Sequence, residues 1–477
     1  MQHKTGPPRT QMTLLPEAIE DYIAQENPVR FIDALVDNLD LVQLGFLKAQ
    51  VASTGRPPYQ PGDLLKLFIY GYLNRIRSSR RLEQETARNL EVRWLLRNIQ
   101  PDHKTISDFR KDNRIALKSV TRQFVVLCKQ LDLFGAELVA IDGSKFKASN
   151  SKQRLWTKAK LRERIRQIDT TIEEYLKLLE TNDQQETVRP TKVQEKIDSL
   201  QHRMKQYTTL LEQLESTNTI QVALTDPDCR LMIGNGKINA AYNIQTAVDS
   251  KHKLIVAYEV TNDINDRYQL ASMAQLAKKS LGVDTLAVVA DKGYVTGTEL
   301  YQCEQLGITT YVPFTQATER HRSNVPTPEY YHANFQYNKE RDCYICPQQQ
   351  ELQRRYTVWI QRQLKTVYAS SACRLCSVKS QCSTNIQGRH IYRTQHEELM
   401  QSLRRRNQQN PEILKGRKCL SEHPFGTIKH AWNQGYLLLR GFEKVRAEIS
   451  LSVLAYNIRR AITILGVSNL IRTLEIA

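Results

Sequence analysis

The sequence predicts a mixed α/β protein whose sheet domain is flanked by helices and interrupted twice. Three observations predict this. Residues 12–134 carry apolar positions at three- and four-residue spacing, the signature of amphipathic helices. From residue 137 the pattern changes to short apolar runs ended by turn residues, with one helical segment among them. Residues 151–217 and 315–400 then break the alternation, the first with long helical periodicity and the second with clustered cysteines.

In the amino-terminal region, LLPEAIEDYI, FIDALVDNLDL and PGDLLKLFIYGYL each line one helix face with apolar side chains. PDHKTISDFRKDN follows, with Thr105 or Ser107 as the expected helix cap before a basic turn. A short helix, a break and a polar helix resemble a helix-turn-helix reader, a pattern that small helical bundles share. Residues 1–134 are therefore expected to form a helical DNA-binding domain, with Lys104 and Arg110 among its contacts.

The sheet domain is expected over 135–150 and 218–314. Glu137 to Ile141 is its first strand, ended by the turn dipeptide Asp142-Gly143. TIQVALTD, AAYNIQTAVDS and HKLIVAYEVTN supply further strands, DRYQLASMAQLAKKSL a helix, and TLAVVADKGY another strand. In the first interruption, Leu161, Ile165, Ile168, Ile172 and Leu179 recur at helical spacing. Val193, Ile197, Leu200, Met204, Tyr207, Leu211 and Leu214 keep a four-three alternation, which is a coiled-coil seam. With the polar NDQQETVRPT between them, the two series predict an antiparallel helical hairpin. Its 13 basic and 11 acidic residues nearly balance, so it reads as a packing or partner arm.

The second interruption holds CYIC at 343–346 and CRLCSVKSQC at 373–382. Two C-x-x-C pairs and a fifth cysteine suit a tetrahedral, zinc-ribbon-like site. The ligands are four among Cys343, Cys346, Cys373, Cys376 and Cys382, with His390 as an alternative. Residues 401–477 return to helix, with Leu451, Leu454, Ile458, Ile462 and Leu465 on a core face.

Charge narrows the function. The chain has 477 residues and a formal charge of +18, and a protein this basic commonly meets polyanions. Residues 71–125 contribute +7 and residues 401–472 contribute +9, which points to localised footprints. No 18-residue apolar run is present, the start lacks a signal-peptide core, and nine cysteines suit a reducing compartment. The expected compartment is the cytosol.

Phosphodiester chemistry without a protein nucleophile commonly uses two divalent metals about 3.5–4 Å apart. Mg²⁺, or Mn²⁺ in its place, calls for carboxylate oxygens, which strand ends and a packed helix can bring together. Asp142 follows the apolar run in VAIDGS and Asp291 follows that in VVADKGY, so both are expected at strand exits. In SEHPFGTIKHAW, Glu422 and Lys429 stand seven positions apart and are expected on one helix face. Pro424 is compatible with this if that helix starts near residue 423. Asp226, Asp228, Asp249, Asp263 and Asp266 also lie in the sheet domain; Asp226 reads as a turn residue, and Asp266 as a helix cap or as a support behind the metal-binding carboxylates.

These motifs, in this order behind a basic helical start, resemble bacterial insertion-sequence transposases of the DDE class. The resemblance spans nearly the whole chain, from YQPGDLLKLFIYGYLNRIRSSRRLE and HKTISDFR through VAIDGSKFKA, VVADKGY and SEHPFGTIKHAW. It implies a ribonuclease-H-like core in which Asp142, Asp291 and Glu422 hold the metals and Lys429 holds a phosphate of the transposon end. It also implies that Arg417 is the arginine preceding the glutamate, although Leu414 replaces the tyrosine that usually comes before it. The expected activity is binding of terminal inverted repeats, strand cleavage and strand transfer by a homodimer on double-stranded DNA. The rivals are a metal-dependent nuclease or resolvase without strand transfer, and a non-catalytic zinc-containing DNA-binding regulator.

Overall fold

The computed structural model describes residues 18–50, 57–151, 154–182, 190–217, 221–234, 236–313, 325–360 and 363–476. The start of LLPEAIEDYI and most of the turn NDQQETVRPT lie outside the described residues.

Six helices open the fold: α1 (Pro28–Asp37), α2 (Pro61–Leu73), α3 (Ser79–Arg88), α4 (Leu90–Leu95), α5 (His103–Asp112) and α6 (Arg114–Gln130). Their starts follow local chemistry. Asn27 accepts the Val29 N–H at 3.0 Å, and Pro28 begins α1 with no N–H to lose. At α5 the cap is Asp102, which accepts the Thr105 N–H at 2.8 Å, in place of the expected Thr105 or Ser107. A carboxylate directly before the first helical residue reaches that N–H, while Thr105 already lies inside the helix. All of α2 is buried, so its Lys66 ammonium is paired with Asp33 and Asp37, each at 2.6 Å.

The central sheet begins with β1 (Leu138–Lys147). Next come β2 (Leu155–Thr157), α7 (Lys158–Asn182), α8 (Pro190–Ser216), β3 (Gln221–Ala223), β4 (Arg230–Gly234), β5 (Lys237–Asp249) and β6 (Ile255–Thr261). The run ends with α9 (Leu270–Leu281), β7 (Leu286–Ala290), α10 (Gly297–Gln305) and β8 (Ile308–Tyr311). The strand order is β4-β5-β1-β7-β8, with β6 also pairing β5. β5 lies antiparallel to β1, β4 and β6, whereas β1, β7 and β8 run parallel. The mixed α/β expectation holds, and β8 is a strand that the sequence reading did not include.

Helices α7 and α8 pack antiparallel. Ile168, Ile172, Val193 and Ile197 form their shared core, and Arg162 near the start of α7 pairs with Glu215 near the end of α8 at 2.7 Å. A second sheet contains β9 (Gln336–Asn338), β10 (Cys343–Ile345), β11 (Glu351–Ile360), β12 (Gln363–Ala369) and β13 (His390–Thr394), antiparallel throughout. A short helix, α11 (Lys379–Cys382), lies between β12 and β13. This sheet has a small core of its own, formed by Phe335, Tyr344, Leu352, Tyr368 and Ile391.

The chain ends in α12 (Glu397–Gln409), α13 (Pro411–Phe425), α14 (Phe442–Leu465) and α15 (Val467–Ile476). One continuous apolar core joins the amino-terminal helices, the central sheet and α14. From Ala447 to Ile458 every residue of α14 is buried, as expected for a helix enclosed on all sides. The single core face read from its leucines and isoleucines was therefore too narrow. Its polar side chains are satisfied. Glu448 meets Arg77 at 3.1 Å and the Leu438 and Leu439 N–H groups, while Asn457 exchanges two hydrogen bonds with the Ile255 backbone. Among the described residues, no helix is long and apolar enough to cross a membrane.

Candidate active site

The turn expected at Asp142-Gly143 does not form. β1 continues to Lys147 because the long β5 pairs with it throughout, setting Asp142 opposite Thr246 and Gly143 opposite Gln245. A complete antiparallel ladder outweighs the turn preference of an Asp-Gly dipeptide. What stops here is the parallel ladder with β7, whose last pair is Ile141 and Ala290. Asp142 and Asp291 are therefore the next residues on neighbouring strands, which lie about 4.8 Å apart in a sheet.

Asp291 accepts the Lys292 N–H at 2.7 Å, and the Arg417 guanidinium of α13 lies 3.8 Å from its carboxylate. Asp142 accepts the Gly143 N–H at 2.8 Å. Burial pushes the Asp142 carboxyl up to about 6, against the opposing pull of the Gly143 N–H and Arg417, and the Asp266 carboxylate adds to the rise. Arg417 thus faces both aspartates.

Beside Asp142 lies a polar platform that the sequence reading missed. Asp266 accepts hydrogen bonds from Asn243 and Gln245, each at 2.6 Å, and from Lys145 at 3.1 Å. Gln245 in turn accepts the Tyr294 hydroxyl at 2.5 Å. Asp266 is therefore not the expected helix cap; Gln269 occupies that position at α9. Gly143 is dictated here by space, since a Cβ would collide with the Gln245 amide and stand 2.5 Å from Asp266 Oδ1. The available signal was Asn243 and Gln245 at alternate positions of AAYNIQTAVDS, two amides on one strand face. Asp226, Asp228 and Asp249 fasten the fold. Asp226 accepts the Tyr242 hydroxyl and the Gly441 N–H, Asp228 the Phe442 N–H, and Asp249 the Gly135, Ala136 and Lys251 N–H groups.

The helix-borne residues depart further from expectation. Glu422 does not lie at a helix start, because α13 begins at Pro411 and holds Pro424 in its final turn. A wide π turn, Gly426–Ala431, follows directly. Proline has no N–H for the carbonyl four residues back, and the ladder loosens at that point. The 3.6-residue period is interrupted between Glu422 and Lys429, so their seven-residue spacing alone does not fix a common face. Ser421 is buried toward the sheet and Glu422 beside it is exposed. Lys429 instead turns to β1, where its ammonium donates to Ser144 Oγ at 3.1 Å and the Lys145 carbonyl at 2.9 Å. Burial and the neighbouring Lys145 both hold its pKa below the ordinary lysine value.

Of the expected DNA contacts in α5, Lys104 is exposed and Arg110 is buried. Arg110 lies over the Phe68 ring and donates to the Arg77 carbonyl at 3.3 Å, so it braces the helical bundle from within. This corrects the expectation for Arg110: the charge suggested a surface, but an aromatic face and a backbone carbonyl hold it inside. The basic surface of the first window is carried by Arg75, Arg80, Arg81, Arg88, Arg93 and Arg97, all exposed.

In the second sheet, Cys346, Cys373, Cys376 and Cys382 line one cavity, while His390 and Cys343 do not. As the side chains stand, no three His, Cys, Asp or Glu residues among the described residues are grouped to hold a metal ion.

A transposase domain model (DUF772) matches residues 17–112, which cover α1 to α5. A transposase DDE domain model matches residues 345–462, taking in the four cavity cysteines, Arg417, Glu422, Lys429 and most of α14. No curated protein and no solved structure matches the chain.

Proposed function

The chain belongs to the DDE transposases of insertion sequences, and from that premise we propose that it binds the terminal inverted repeats of its element, cleaves the ends and joins the freed 3′-hydroxyls to target DNA. The observation that carries this reading is the parallel register ending at Ile141 and Ala290, with Asp142 and Asp291 next on adjacent strands beneath α13. An antiparallel β6-β5-β1 half joined to a parallel β1-β7-β8 half supports a ribonuclease-H-like core.

The two strand carboxylates suit a divalent cation. They are hard oxygen donors, and burial without a full countercharge has raised the Asp142 carboxyl to about 6. Mg²⁺ or Mn²⁺, two per site, would supply Lewis acidity at the attacking and leaving oxygens. Asp142 and Asp291 hold the cations from the sheet. Glu422 completes the set from α13, whose last turn is already loosened at Pro424. Arg417 exchanges its aspartate partners for a phosphate, a task suited to a guanidinium fork. Lys429, fixed against the end of β1, presents a compact positive charge beside the same strand exit. Residues 1–134 recognise the transposon ends, with Lys104 and the exposed arginines neutralising phosphates. Residues 151–217 act as a packing or partner arm, two chains work together on DNA, and residues 315–400 carry a structural zinc.

A labelled transposon end assayed in parallel for binding and for cleavage tests the reading. Specific binding with metal-dependent cutting and joined products is expected. Cutting without any joined product would favour the nuclease reading. Affinity should also fall steeply with salt, about tenfold or more between 50 and 200 mM, as phosphate neutralisation requires. A flat salt dependence would remove the exposed arginines from the interface.

A further inference from the structure

The second sheet sorts five cysteines into four and one. β10 alternates its side chains, so Tyr344 and Cys346 share a face and Cys343 points to the other. On the Tyr344 face, Cys346 and Cys382 pack against the small aromatic core. Cys373, in the turn after β12, and Cys376, three residues further on, close the same cavity of about 30 Å³. Cys343 is fully buried on the opposite side, where Asp342, Arg341 and Glu351 are its charged neighbours.

Two further features belong to a metal-holding loop. The Gln350 N–H points at Cys346 Sγ from 3.3 Å, and a backbone donor of this kind favours the thiolate. Gly388, at φ 92°, passes so close to Cys373 that any Cβ would collide with the cysteine side chain and backbone. The chain is thereby folded tightly over the cavity. A sheet this small gains little from its five-residue core, and structural metals commonly support such units.

We propose that Cys346, Cys373, Cys376 and Cys382 together bind one tetrahedral Zn²⁺, and that Cys343 is an inert core thiol. This rests on the structural zinc assigned above and adds the ligand set. The four thiols line one cavity without being drawn together, and a Zn²⁺ held there would require them to close in to Zn–S bonds of about 2.3 Å. The match that runs from residue 345 to 462 contains all four ligands and leaves Cys343 outside.

Metal content of the full-length protein, purified without added zinc, tests the proposal together with three variants. One zinc per chain is expected in the parent and in Cys343→Ser, and less than about a tenth of that in Cys376→Ser. Cys376→His guards against simple misfolding. It should keep the metal, and its cobalt-loaded form should lose part of the sulphur-to-cobalt absorption shown by the cobalt-loaded parent. A folded, DNA-binding parent without zinc would overturn both the zinc assignment and the ligand set. Zinc in the parent that Cys343→Ser loses, or that Cys376→Ser keeps, would overturn the ligand set alone.

Discussion

Asp142 lies on β1 and Asp291 directly follows β7, two strands whose register is set by four paired residues, whereas Pro424 separates Glu422 from Lys429, which lies within a π turn. The strand half is held by a ladder that a slip of one residue would invert, so its side chains have one available direction. The helix half lacks that constraint. Its ladder is broken at Pro424, and the segment beyond it is tied to β1 instead, with Lys147 donating to the Gly435 carbonyl and Leu437 donating to the Lys147 carbonyl. Under the proposed function, the sheet carboxylates would be positioned before any cation binds, and the carboxylate on the loosened helix end would join them on DNA. The comparison predicts that the two halves fail differently.

The largest effect belongs to the strand half. Asp142→Asn and Asp291→Asn keep side-chain shape and remove the charge that holds a divalent cation. Each should lower cleavage of a labelled end by more than about 100-fold, beyond the range of outer-shell changes. End binding should stay within about twofold of the parent. If Asp291→Asn cut as fast as the parent, the paired strand exits would not be the site.

How much of this was legible in the sequence follows the same division. Short apolar runs marked most strands of the central sheet, and Asp142 and Asp291 were singled out because each directly follows such a run. The continuation of β1 was not legible, since its cause is β5, a partner about 100 residues away along the chain. The four-three alternation revealed the α7–α8 pair because a helix seam is a local signal. The facing of Glu422 was lost because helical counting assumes an unbroken 3.6 period, which Pro424 and the π turn end. Arg110 misled for a related reason: charge suggests surface, and nothing local announces that Phe68 and the Arg77 carbonyl wait inside. Cysteine spacing suggested a metal site, whereas which cysteines share one cavity could be read only from the fold.

A second, smaller effect sharpens the comparison through stability. The Asp142 carboxyl has an ordinary value of 3.8 and stands at about 6 in the fold. A carboxyl raised on folding favours the native state fully below its unfolded value, and that advantage disappears as pH climbs through the folded value. Metal-free parent protein should therefore lose stability between about pH 4 and pH 6 through this group. The loss is roughly 1–3 kcal/mol at about 1.4 kcal/mol per pKa unit. Asp142→Asn should match the parent near pH 4 and exceed its melting temperature at pH 8. Equal melting temperatures at both pH values would show that the charge is compensated without a cation.

The smallest effect tests the helix half. Pro424→Ala restores an N–H that can bond to the Leu420 carbonyl and should extend the α-helical ladder toward Gly426. Melting temperature should hold or rise slightly, because a helix breaker has been removed from the final turn of α13. Cleavage should nevertheless fall by about tenfold, some 1.4 kcal/mol of barrier, if Glu422 must swing from its exposed position to meet the strand carboxylates. Binding of the uncut end should not change, because the basic surface is untouched. A Glu422→Gln companion separates the causes: in that background Pro424→Ala should have no further effect, since the swinging carboxylate is already gone. Unchanged cleavage in Pro424→Ala alone would mean that the helix end need not move and that Glu422 reaches the site by side-chain rotation.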